Sequence, residues 1–288
     1  MRKTTITSLL FLAMLSALLS TPSMSASAAG RPLVSDATEE KAASLLKELA
    51  VPDKDGKFQF NKPVPDLFYP TPDSVGYSGA AQFISASTLS LKCQGQRRLV
   101  LLASFKALED TATPGGEITV LAIYKTVGGK PKLIAAANVQ DDRFTFISMP
   151  PLLPYSGDSE ALMISNTHSN AGESYESIQA VALQGTKLVS LCSGVGDLYS
   201  ARSTDRSIEE RGRYVLGKNT GPGPRPMFFV ATVTFNKYDP DDPEKMLSSS
   251  RKVFKIPLRY KNGKYTADEH DRTMRAYRNF LKSTGLGN

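Results

Sequence analysis

The stretch "ITVLAIYKTVGGKPKLIAAANVQDD", Ile118 to Asp142, decides the fold class. It holds an apolar run, a Gly-Gly-Lys turn, a second apolar run and closing aspartates. "SIQAVALQGTKLVSLCSGVGD", Ser177 to Asp197, repeats that order, and "SRKVFKIPLRYKNGKYTAD", Ser250 to Asp268, repeats it more loosely. Upstream of each copy lies another apolar run followed by a polar segment: Leu99 to Glu117, Glu160 to Glu176 and Met227 to Ser249. Val, Ile, Leu, Phe and Tyr dominate the runs, while Gly, Asn and Asp separate them, which is strand chemistry rather than helix chemistry. The Asn262-Gly263 pair suits a tight hairpin turn in which both central residues take positive φ. Self-similarity of this kind predicts a three-stranded antiparallel meander used three times.

The segments between the copies, Arg143 to Asp158 and Arg206 to Pro226, each offer one more strand before a Pro-rich corner. Helical periodicity is confined to the two ends. Near the N-terminus, Asp36 and Glu39 stand at capping-box-like spacing before Leu45, Leu46 and Leu49. Near the C-terminus, Thr266 and Glu269 do the same for a helix expected to run to about Ser283 and to close at Gly285. The expected fold is therefore all-β, with one helix at each end, arranged as a β-sandwich or a propeller-like curl. The unit resembles the repeats of secreted β-propeller proteins in its strand count, without their Asp-rich calcium loops. Three units are fewer than the four to eight blades of a closed ring.

The opening residues set the expected compartment. Arg2 and Lys3 precede an apolar run from Leu9 to Leu19, and Ala26-Ser27-Ala28 gives small residues at A-x-A spacing, so residues 1–28 read as a cleavable secretory signal. The run is short for a membrane span. The chain after the signal, 29–288, is expected to be a single soluble β domain in a periplasm or outside the cell. Its only cysteines, Cys93 and Cys192, lie far apart, and an oxidising compartment predicts that they pair as a disulfide. The formal charge of the chain is +7, and residues 251–288 hold ten basic side chains against Asp268, Glu269 and Asp271. A basic C-terminal end thus follows a nearly neutral body.

Motifs for the commoner catalytic and cofactor chemistries are missing: no G-x-S-x-G, no P-loop and no H-E-x-x-H. Two cysteines and two histidines without short spacing do not predict a zinc site, and the Asp53-Lys54-Asp55-Gly56 stretch puts Val51 and Lys62 at the first and last positions of a calcium loop. The acidic run Asp239, Asp241, Asp242 and Glu244 reads as a solvated turn. No cofactor is expected. The weak catalytic candidates are His168 and Glu173, in the polar segment "THSNAGESYE" that the repeat alignment places on a long strand-to-strand loop, with Tyr175 beside them as a binding residue. On the C-terminal helix, Met274, Tyr277, Phe280 and Leu281 fall on one side and Arg272, Arg275, Arg278 and Lys282 on another. These features predict a binding protein for a protein or anionic envelope partner, with no role in nucleic-acid binding. The alternative is an exported hydrolase with its site near His168.

Overall fold

The computed structural model describes residues 34–68, 76–108, 116–219, 221 and 223–285. The predicted signal, 1–28, lies outside the described residues. The chain is all-β with a helix towards each end, as its repeats imply. A first sheet of seven strands holds β1 (Ser35–Asp36), β2 (Ala50–Pro52), β3 (Phe58–Phe60), β4 (Ala80–Cys93), β5 (Gln96–Ala107), β6 (Glu117–Val127) and β7 (Lys130–Asn138). Its order is β2-β3-β4-β5-β6-β7, with β1 also on β4.

A second sheet of ten strands begins with β8 (Phe144–Leu153), β9 (Ala161–Asn170), β10 (Glu173–Gln184), β11 (Lys187–Ser190) and β12 (Cys192–Ser193). It continues with β13 (Asp197–Arg202), β14 (Arg206–Leu216), β15 (Met227–Asp239), β16 (Asp242–Lys261) and β17 (Lys264–Ala267). All three meanders are present, as β5-β6-β7, β9-β10-β11 and β15-β16-β17. The first belongs to one sheet and the other two share the second, so the copies are not three separate blades.

The second sheet closes on itself. One edge of β10 pairs with β13 over Glu173–Ser177 and with β11 over Val181–Gln184. β11 runs through Leu191 into β12, which pairs in parallel with β17. The Leu191 N–H donates to the Ala180 carbonyl at 2.7 Å, and the Leu191 carbonyl accepts from the Tyr265 N–H at 2.6 Å. A barrel results, filled by Ala180, Ala182, Met227, Phe229, Ala231, Ile256 and Tyr265. β15 shows why: Met227, Phe229, Ala231 and Val233 alternate inward along "MFFVATV", as a strand with one face in a core requires.

The quoted run of β6 is different, because "ITVLAIY" is buried at every position. Ile118, Val120, Ala122 and Tyr124 face a core completed by Leu45 and Leu46 of helix α1 (Glu39–Leu46), while Leu121 and Ile123 face the second sheet. Strand β9 matches it. Ala161 and Met163 enter the barrel, and Leu162 and Ile164 meet Leu89, Leu91, Val100 and Leu102 of the first sheet. A continuous apolar run marks a strand covered on both faces. Each Leu, Ile or Phe buried there contributes about 1.5–3 kcal/mol relative to exposure.

Both helices form with caps other than those expected. Thr38, not Asp36, accepts from the Lys41 N–H at 3.3 Å to start α1, and Asp36 lies in β1. Helix α2 (Arg272–Thr284) starts at Asp271, which accepts from the N–H groups of Thr273 and Met274, because Thr266 is held in β17 by the pairing with Arg259. Gly285 ends α2 in the left-handed conformation, as its position predicted. The Cys93–Cys192 disulfide is corrected: both thiols are free and buried, Cys93 in the core shared by the sheets and Cys192 inside the barrel. Burial pushes the Cys93 thiol up to about 11 and the Cys192 thiol up to about 12, so both stay protonated and unreactive.

Two outcomes check this architecture. Reductant is expected to leave Tm unchanged, and thiol titration is expected to find two free groups only after denaturation; one disulfide by mass spectrometry contradicts the separate burial. Gly196 sits at φ +113°, where β10 passes from β13 to β11, and a Cβ there would lie 2.5 Å from the Ile178 carbonyl oxygen and 2.8 Å from the Tyr214 hydroxyl. Gly196→Ala is expected to cost roughly 1–3 kcal/mol from strain and overlap, read as a drop in denaturation midpoint.

Candidate functional site

The segment "THSNAGESYE" is not a long loop. Ala171 and Gly172, both at positive φ, make a tight turn, so β9 and β10 stay paired out to Asn170 and Glu173. His168 therefore stands directly opposite Tyr175, and Tyr175 opposite Tyr199 of β13. Cross-strand partners project to the same face, which brings the three predicted residues together. The His168 ring stacks on Tyr175 with centroids 4.6 Å apart, and Tyr199 lies on from Tyr175 at 5.1 Å. Glu173 accepts from the Tyr175 hydroxyl at 3.0 Å and from the Tyr199 hydroxyl at 2.9 Å.

Residues outside the expected set complete this row. His168 Nδ1 is hydrogen-bonded to the carboxylate of Asp142, an arrangement that fixes the ring and leaves Nε2 as the nitrogen able to exchange a proton. Tyr199 is the other addition. Its hydroxyl is pushed up to about 12, first by burial and then by its bond to Glu173; the Tyr175 hydroxyl is also raised, chiefly by Glu173. Both phenols therefore remain hydrogen-bond donors at neutral pH. Asp142 was visible as the residue that closes the first copy; nothing local marked Tyr199.

A cleft of about 390 Å³ lies between β8 and β14, lined on β9 and β10 by residues of the face opposite the row. Leu153, Met163, Ile178 and Tyr214 form its apolar lining. A short polar chain crosses it: the Ser148 and Ser165 hydroxyls are 2.7 Å apart, and Ser165 donates to Glu176 at 3.0 Å. Pro150 and Pro151 interrupt the pairing of β8 with β9 between Ile147 and Leu152. At this interruption Met149 is 83% exposed and Phe146 46% exposed. Arg211 and Arg213 also line the cleft, Arg211 bonded to Glu209 at 2.7 Å.

Helix α2 divides as its periodicity predicts. Met274 and Tyr277 are buried and Phe280 and Leu281 partly so, while Arg272, Arg275, Arg278 and Lys282 face solvent. Arg278 pairs with Glu269 at 2.7 Å, and Arg259 with Asp268 at 3.2 Å. The docked side is tied to the aromatic row through Glu210, which accepts from the Tyr277 hydroxyl at 3.4 Å and from the Tyr199 backbone N–H at 2.9 Å. The acidic run at Asp239 is a turn: Asp239 accepts from the Asp241 N–H and pairs with Lys245 at 2.9 Å.

No protein-family model, curated protein or solved structure matches the chain. Among the described residues no cluster of His, Cys, Asp and Glu is arranged to hold a metal ion, and no helix is long and apolar enough to cross a membrane.

Glu210 supplies a pH test. Burial raises its carboxyl above the ordinary value of 4.5. A carboxyl with a raised folded pKa contributes stability that is fully present below the unfolded pKa and is lost as pH rises through the folded value. Wild-type Tm is therefore expected to fall relative to Glu210→Gln as pH rises from about 4.5 towards neutrality. A Tm difference independent of pH contradicts this assignment.

Proposed function

We propose that the chain acts as an exported, non-catalytic binding protein of the cell envelope, with the cleft between β8 and β14 as its ligand-bearing surface. The observation that carries this reading is the combination of an apolar lining, an exposed Phe146 and Met149 at its lip, and a few fixed polar groups in Ser148, Ser165 and Glu176. Ligand sites are commonly concave and mostly apolar, with a small number of polar groups that orient the guest. The partner that fits is a macromolecule presenting an apolar side chain beside an anionic group, the first for the lining and the second for Arg213. The exposed cations of α2 add a second, salt-sensitive attraction for an anionic partner. The export assignment rests on the Arg2-to-Ala28 leader pattern.

Capture from envelope extracts, with a photo-crosslinker at Phe146, is the direct test. One partner should be recovered reproducibly, and Met149→Arg should weaken its binding about tenfold or more, the scale of a central contact residue. Charge reversal at Arg272, Arg275 and Arg278 should weaken binding without moving Tm, and wild-type binding should fall as salt rises. Binding indifferent to both changes removes the cleft and the helix from the account.

The Asp142–His168 pair favours a second reading, a hydrolase in which His168 moves a proton through Nε2 beside Glu173. Turnover of an ester or cell-wall substrate that disappears in His168→Ala with Tm retained establishes it; turnover unchanged in that variant excludes His168.

A further inference from the structure

Strand β14 lacks a partner along part of one edge. Its register with β15 runs residue for residue from Arg206–Lys237 to Leu216–Met227 without a shift. At one end the Asp205 carbonyl accepts from the Tyr238 N–H at 2.7 Å, and at the other the Gly217 N–H donates to the Pro226 carbonyl at 2.7 Å. Bonded pairs alternate in an antiparallel ladder, so the odd-numbered residues between these ends bond to β15. Gly212, Tyr214 and Leu216 therefore turn N–H and C=O to the opposite edge. β13 covers that edge only as far as Glu209, and the Glu210 N–H goes to the Ser200 hydroxyl at 3.2 Å. Beyond it, no backbone partner reaches Gly212, Tyr214 or Leu216 among the described residues. Gly212 and Tyr214 both line the cleft between β8 and β14, and Tyr214 is buried. Buried backbone groups are nearly always paired, so this edge is a ladder that stops short.

We propose that the cleft takes its partner as a strand: an extended polypeptide segment pairs with β14 along Gly212 and Tyr214. The inference rests on the reading of this cleft as the ligand-bearing surface and names the class of molecule that fills it. An acyl chain or a glycan matches the apolar lining or the hydroxyls, but neither carries donors and acceptors that alternate at strand spacing. A peptide backbone does. Strand addition at an open edge draws affinity from the main chain and specificity from side chains on alternate faces. The two faces of β14 predict those side chains. Tyr214 belongs to the barrel core, and a Cβ at Gly212 would meet the Phe229 ring. A partner residue opposite either one projects to the same side, toward Leu153, Met163 and Ile178. Arg213 leaves β14 on the other face, exposed and without an ion pair among the described residues, whereas Arg211 is held by Glu209. The partner residue opposite Arg213 should be Asp or Glu, so the segment that fits reads apolar-acidic-apolar.

The test screens the whole protein against a randomised bead library of end-capped decapeptides. Selected peptides should carry the apolar-acidic-apolar pattern. N-methylation of every second backbone amide should weaken a selected peptide about tenfold or more in one phase, where the methyls replace protons bonded to β14, and change little in the other. Bound peptide should also slow hydrogen exchange at the Gly212 and Tyr214 amides while leaving Arg213 and Val215, already bonded to β15, nearly unchanged. A library that yields no binder overturns the proposal, as does a binder that loses equally from both methylation phases or from neither, or one that leaves Gly212 and Tyr214 unprotected. If a photo-crosslinker at Phe146 still captures an envelope partner after such a result, the cleft remains the ligand-bearing surface and strand pairing alone is removed.

Discussion

Strand β10 is the wall that the rest of the molecule shares. Val181 and Leu183 enter the core between the sheets, while Ile178, Ala180 and Ala182 enter the barrel. One edge pairs with β9 over Glu173–Val181, and the other with β13 over Glu173–Ser177 and then with β11 over Val181–Gln184, with Gly196 and Leu191 bonded to Ile178 and Ala180 in between. Two hydrophobic cores thus rest on opposite faces of one strand, and a change of register by one residue would exchange their side chains. The small residues on the barrel side leave room for Tyr214 and Phe229, whose ring lies over Gly212. Coupling also runs through a polar seam, where the Asp141 N–H donates to Asn166 of β9 at 3.1 Å.

The same wall places the polar chemistry. Beyond Ser177 the first sheet no longer covers β10, and the side chains change from aliphatic to Tyr175 and Glu173. The aromatic row and helix α2 are joined by one buried carboxylate. Glu210 holds Tyr277 on one side and the Tyr199 backbone on the other, so the seat of the basic helix and the position of the aromatic row are not independent. Among the described residues Glu210 has no ion-pair partner, and a buried, hydrogen-bonded carboxyl of that kind is costly to ionise. Its retention here has a geometric consequence: it fixes where a helix that carries four exposed cations meets the sheet.

Much of this was legible in the chain. The meanders were read from the repeated strand-turn-strand order, the Asn262-Gly263 hairpin from its turn chemistry, and the two faces of α2 from helical spacing. Three things were not. The alignment of "THSNAGESYE" with longer segments hid the Ala171-Gly172 turn, because a two-residue hairpin at positive φ is set by backbone sterics that a non-glycine residue such as Ala171 does not advertise. The cysteines were expected to pair because sequence reports compartment and count, whereas pairing depends on which core each thiol enters. The cleft was invisible because its lining comes from three consecutive strands and from β14, and Ser148, Ser165, Glu176 and Tyr214 form no spacing that a motif could capture.

Sharing one strand between two cores predicts that neither core survives alone, and native-state amide hydrogen exchange measures this directly. Leu162–Ile164 and Val181–Leu183 should exchange only through global unfolding, with the central amides of β6 and β15 opening at the same free energy and with the same denaturant dependence. If β6 instead exchanges through a separate, lower-energy opening while β10 stays protected, the two sheets are independent units, and the shared wall does not hold the fold together.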